Sequence, residues 1–127
     1  LTTKSYFALI AEDTEDIADL MQMTLKRLNI DCQHVVNGQL ALDVLAYRFP
    51  DILLLDIGMP VLNGWEVLEK IKERYPKANF PVIILTAFDD PANKLIGKLQ
   101  SRVFRYMTKP FDPDTLTQAV QEALGIS

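Results

Sequence analysis

The chain has 127 residues, 49% of them apolar and 24% charged, with a formal net charge of −4. That length suits one domain with one core, residues 1–127, and is too short for two ordinary domains. The negative balance argues against direct nucleic-acid binding, which needs a basic surface, and no apolar stretch reads as a secretory signal or is long enough for membrane insertion.

Short continuous apolar runs alternate with helix-period segments, the pattern of buried parallel strands joined by helices. The first run, Tyr6 to Ala11, ends at Glu12-Asp13. A helix is predicted from about Glu15 to Leu28, with Ile17, Leu20, Met21, Leu25 and Leu28 at helical spacing. A second strand, Cys32 to Val36, closes on the turn signal Asn37-Gly38. Leu40, Ala41, Val44 and Leu45 mark a second helix, closed near Pro50. The third run, Ile52 to Leu55, ends at Asp56. A loop punctuated by Gly58, Pro60 and Asn63-Gly64 follows, then a helix from about Trp65 to Tyr75 burying Val67, Leu68 and Ile71.

The fourth run, Val82 to Leu85, ends at Thr86, and a fourth helix is expected from about Pro91 with Leu95, Ile96 and Leu99 on its inner face. The fifth, Val103 to Met107, leads to Lys109. Asp112-Pro113 reads as a cap and first-turn proline for a last helix that buries Leu116, Ala119, Val120 and Leu124. Five such alternations imply a doubly wound α/β domain with helices on both faces of a parallel sheet. No linker or repeat appears, and nothing after the last helix is long enough for an output domain. The sequence opens at Leu1 rather than Met, so further native residues are expected before it.

In an open parallel sheet, residues just past the strand ends share one edge, where ligands bind. Glu12, Asp13 and Asp56 should therefore meet, with Thr86 and Lys109 beside them. Three carboxylates so close repel one another unless a cation joins them. Hard oxygen donors in a partly open site suit Mg²⁺. Asp13 and Asp56 would bind it directly and Glu12 through water, with the Gly58 carbonyl as a further protein oxygen. A carboxylate is also a competent nucleophile toward phosphorus. Lys109 would then act as a point charge on one phosphoryl oxygen and Thr86 would donate a hydrogen bond to another, while the small Ala87 leaves access.

With these residues in place, the chain resembles, over nearly its whole length, the receiver domain of two-component response regulators. The matching pieces are Glu12-Asp13, Asp56-Ile57-Gly58-Met59-Pro60 on to Gly64, Thr86-Ala87, Tyr106, and Lys109-Pro110-Phe111. The resemblance implies a flavodoxin-like sheet of order 2-1-3-4-5. It implies that Asp56 takes a phosphoryl group from a phosphohistidine on a histidine kinase or histidine phosphotransfer protein, as part of a phosphorelay. It implies that Thr86 and Tyr106 are switch residues, and that the face of the fourth helix, fifth strand and last helix changes to control a downstream protein. A cis Lys109-Pro110 bond is expected too. Where the family often carries Gly-Ala, this chain has Arg102-Val103, and a left-handed turn there would suit Gly better than Arg. The last helix lacks the arginine-rich pattern of the family members whose receivers dimerise through this face.

The remaining residues read more plainly. Cys32, the single cysteine, excludes an internal disulfide and is expected to be a small buried strand residue, with a reducing cytoplasm as the setting. His34, the only histidine, is expected on the second strand away from the acidic edge, in a surface or structural role. Trp65 reads as packing or a loop anchor. Lys94, Lys98, Arg102 and Arg105 read as a solvated basic face, with a docking surface as the alternative.

Hydrolysis of an aspartyl phosphate needs an in-line water, and the residues two past Asp56 and Thr86, Gly58 and Phe88, should flank its approach. Phe88 is expected to shield the phosphoryl group, or else to point outward and cover the loop. The leading reading is a switch that catalyses its own phosphoryl uptake and loss, with no turnover of an external substrate. The alternative is a pseudo-receiver, an interaction module working without phosphorylation, against which the intact five-residue set argues. A Mg²⁺-dependent phosphatase of the haloacid-dehalogenase type would need a second Asp where Gly58 stands.

Overall fold

A computed structural model describes residues 5–87 and 101–126. Five strands, β1 (Tyr6–Ala11), β2 (Ile30–Val35), β3 (Ile52–Asp56), β4 (Val82–Thr86) and β5 (Val103–Thr108), form one parallel sheet in the order β2-β1-β3-β4-β5. Four helices are described: α1 (Glu15–Arg27), α2 (Gly38–Leu45), α3 (Gly64–Arg74) and α4 (Pro113–Leu124). The helix expected from Pro91, with Leu95, Ile96 and Leu99, lies outside the described residues, as do Phe88, Lys94 and Lys98.

The apolar runs are continuous because both sheet faces are covered. Side chains alternate along a strand, and the two halves of each run enter different cores. Leu9, Ala11, Leu53, Leu55, Val82 and Ile84 pack with Ala41, Leu42 and Leu45 of α2 and Val67, Leu68 and Ile71 of α3. Ala8, Ile10, Ile52, Leu54, Ile83 and Leu85 pack with Met21 and Leu25 of α1 and Leu116, Ala119 and Val120 of α4. Truncating a fully buried leucine such as Leu54 to Ala in such a core costs about 2–5 kcal/mol.

Capping follows the local chemistry. Asn63 and Glu66 form a reciprocal capping box at α3, Asn37 accepts from the Leu40 amide at α2, and Asp112 accepts from the Thr115 amide ahead of Pro113 at α4. No helix of the described residues is long and apolar enough to cross a membrane.

Several local expectations are corrected. β2 begins at Ile30, because Asn29 adopts a left-handed φ of 60° and turns the chain directly from α1 into the sheet. It ends at Val35, leaving Val36 exposed. α2 stops at Leu45 rather than near Pro50, and Leu40 lies off its inner face, 41% exposed. Cys32 is half-buried rather than buried. No left-handed turn forms at Arg102; its guanidinium instead donates to the Ala78 carbonyl and lies over the Phe80 ring. The strand irregularity sits one step later. Val82 pairs with Val103 but Ile83 pairs with Arg105, so Phe104 is bulged out and exposed.

Candidate functional site

Each expected residue leaves the carboxyl edge of the sheet where a strand stops. Glu12 follows β1 directly, and its amide donates to the Val35 carbonyl at 3.0 Å, one step beyond the β1–β2 ladder. Its side chain is fully buried, whereas Asp13 beside it is exposed. Asp56 is the last residue of β3 and is 5% exposed. Thr86 ends β4, fully buried, and its carbonyl accepts from the Lys109 amide at 2.7 Å, which carries Lys109 back over the edge. The Lys109–Pro110 bond is cis, as expected.

Glu12, Asp13 and Asp56 each offer a carboxylate oxygen, and these oxygens lie within 4.8 Å of one another. The Lys109 ammonium forms an ion pair with Glu12 Oε1 and stands 3.5 Å from Asp56 Oδ2. Asp56 Oδ1 accepts from the Gly58 amide at 3.2 Å, and Glu12 Oε2 from the Thr14 amide at 3.2 Å. Burial raises the Glu12 carboxyl from its ordinary 4.5 to about 7; the Lys109 hydrogen bond opposes this and Asp56 adds to it. A negative cluster with one exposed arm and one fixed ammonium is suited to hold a divalent cation and a phosphoryl group side by side.

The loop beyond Asp56 is held tightly. The Gly64 amide donates to the Ile57 carbonyl at 3.0 Å, and the Ile57 amide to the Leu85 carbonyl at 3.2 Å. Val61, at the tip, has a φ of 70° and is 72% exposed.

A family model described as the response regulator receiver domain matches residues 8–121. The chain belongs to that family. The receiver domain is 35% identical over 116 residues to the DNA-binding transcriptional regulator NtrC of Escherichia coli (strain K12), covering 91% of this chain and 24% of that protein. It is 34% identical over 116 residues to the alkaline phosphatase synthesis transcriptional regulatory protein PhoP of Bacillus subtilis (strain 168), covering 91% of this chain and 47% of that one. It thus spans about a quarter of the first relative's length and just under half of the second's. Among solved structures, the receiver domain of a Francisella response regulator superposes with a TM-score of 0.84 at 32% identity, covering 94% of this chain and 97% of that one.

Within this receiver domain, Glu12, Asp13, Asp56 and Lys109 are brought together as the sequence predicts. Thr86 adjoins them through β4, since Asp56 pairs with Leu85. Tyr106 lies on β5 against the core beneath α2 and α3, half-buried. Gly58, Ala87 and Pro110 are exposed around the rim. Phe88 falls outside the described residues.

One residue was misplaced by sequence reasoning. His34 is not away from the acidic edge: its Nε2 lies 2.7 Å from the Glu12 carbonyl oxygen. The signal that finds it is strand register, since His34 pairs with Ile10, two residues before Glu12. Register between distant strands is not written in local periodicity.

Proposed function

We propose that this receiver domain is a phosphorylation-activated switch whose acceptor is Asp56. One observation carries the reading: Asp56 and Glu12 share the Lys109 ammonium within a three-carboxylate cluster. The donor is a phosphohistidine on a histidine kinase or a histidine phosphotransfer protein. An Asp56 carboxylate oxygen attacks phosphorus, the phosphorus–nitrogen bond breaks, and the imidazole leaves with a proton from solvent.

Mg²⁺ fits the donor set, with Asp13, Asp56 and the Gly58 carbonyl as direct oxygens and Glu12 acting through water. When bound, it supplies positive charge to a phosphoryl oxygen. Lys109 offers its ammonium to a second oxygen and Thr86 its hydroxyl to the third. Exposed Ala87 leaves the approach open. Recruitment of Thr86 toward the phosphoryl group, with movement of Tyr106, would alter the β5–α4 face that a downstream protein reads. The domain catalyses its own uptake and loss of phosphate and turns over no other substrate. The proposed setting is the cytoplasm, in line with a single, free cysteine.

The test is Asp13→Asn treated with acetyl phosphate, with and without Mg²⁺. The variant should fold and lose Mg²⁺-dependent phosphorylation. Uptake equal to that of the parent would remove Asp13 from the site.

A further inference from the structure

The parallel ladder between β1 and β2 ends at the pair Ala11–Val35. The residue that follows, Glu12, is nevertheless held by β2 from both sides. Its amide donates to the Val35 carbonyl at 3.0 Å, and its carbonyl oxygen lies 2.7 Å from His34 Nε2. A carbonyl oxygen has only lone pairs to offer, so Nε2 carries the hydrogen and donates.

The Glu12 carbonyl belongs to the planar peptide unit that joins Glu12 to Asp13. Fixing that oxygen fixes the plane, and the plane sets where Asp13 begins. Glu12 has further anchors through its carboxylate, on Lys109 and the Thr14 amide. Asp13 is exposed, so its position rests chiefly on its backbone. An imidazole on β2 therefore orients the two acidic residues relative to each other.

We propose that His34 is a positioning residue for the metal site, holding the Glu12–Asp13 peptide plane so that the carboxylates converge on the cation. The inference rests on the Mg²⁺-dependent phosphoryl-acceptor reading above. His34 touches neither the cation nor the phosphoryl group; it acts through the Glu12 carbonyl. A single hydrogen bond to a neutral acceptor is a modest interaction, so its loss should weaken Mg²⁺ binding about three- to tenfold rather than abolish it.

The experiment compares the parent with His34→Ala, His34→Gln and His34→Asn, titrating Mg²⁺ alone by calorimetry. Gln places an amide N–H near the reach of Nε2, whereas Asn places it near the reach of Nδ1. His34→Ala and His34→Asn should bind Mg²⁺ about three- to tenfold more weakly, and His34→Gln within about twofold of the parent. In metal-free protein, the Asp13 amide resonance should move in His34→Ala and return toward its place in His34→Gln. A merely structural histidine would change melting temperature without this Gln–Asn distinction. Should His34→Ala fail to fold, the Gln and Asn variants decide alone. Equal affinity in His34→Ala and the parent, or in the Gln and Asn variants, overturns the proposal. Asp13→Asn separates the two readings. If the parent binds Mg²⁺, Asp13→Asn does not and His34→Ala binds normally, only the role of His34 falls. If the parent binds none, the phosphoryl-acceptor reading falls and takes this one with it.

Discussion

Two glycines that follow Asp56 should respond very differently to the same added methyl group, Gly64 with a loss of stability and Gly58 with almost none. Gly64 opens α3, and a Cβ there would lie 2.7 Å from the Asp56 carbonyl oxygen, 2.9 Å from Ile57 Cα and 3.3 Å from the Asp56 carbonyl carbon. All three are backbone atoms, so no side chain can rotate away. The strand end that carries Asp56, or the start of α3, must shift by several tenths of an ångström. Overpacking of this kind costs about 1–3 kcal/mol, offset by up to about 1 kcal/mol from the better helix propensity of Ala. The net cost is then about 0–3 kcal/mol, so Gly64→Ala should lower the melting temperature by up to about 12 °C and slow phosphorylation by acetyl phosphate, because Asp56 itself moves. A Cβ at Gly58 would meet nothing within 4 Å, and its φ lies outside the left-handed region. Gly58→Ala should stay within about 0.5 kcal/mol of the parent. Thermal melting of both variants, with phosphate uptake followed by intact mass, is the assay. A Gly64→Ala protein that melts and phosphorylates like the parent would refute the close-approach argument.

Two further outcomes follow from backbone strain and from burial. Val61 is a β-branched residue at φ 70° with most of its side chain in solvent; since that conformation costs about 1–2 kcal/mol and Asn tolerates it better, Val61→Asn should raise the melting temperature by a few degrees, and an unchanged or lower value would show that the loop carries no such strain. The Glu12 carboxyl is raised from 4.5 to about 7 by burial, so the folded state keeps a proton that the unfolded state releases. Metal-free protein should accordingly lose stability as pH rises from about 4.5 to about 7 and level off above. Denaturant titration of Glu12→Gln should show a flatter profile; equal slopes in both proteins would contradict the assignment.

The three central strands, β1, β3 and β4, were legible because burial on both faces leaves no polar positions inside them. Ile52 to Leu55 and Val82 to Leu85 read as continuous runs for that reason, and the polar residue after each run marks the functional edge. Asp112 was readable as a helix start because its capping chemistry is local, whereas Asn63-Gly64 read as loop and forms the cap and first residue of α3. What stayed hidden depends on contacts between distant segments. The start of β2 turns on the left-handed Asn29. The exposure of Leu40 reflects which side of a short helix meets the sheet, and apolar character alone does not fix it. The bulge at Phe104 and the Arg102–Ala78 contact are settled by how β5 registers on β4. His34 reaches the site only because its register sets it two residues short of Glu12. Polar residues at strand ends, Lys109 included, announced the site; the His34 contact to the Glu12 carbonyl did not.

Asp56 is proposed as the sole phosphoryl acceptor. Intact-mass spectrometry of the parent and Asp56→Asn, after acetyl phosphate treatment with Mg²⁺, tests it most directly. The parent should gain one phosphate and the variant none. Phosphate retained by Asp56→Asn, or none acquired by the parent with Mg²⁺ bound, would contradict it.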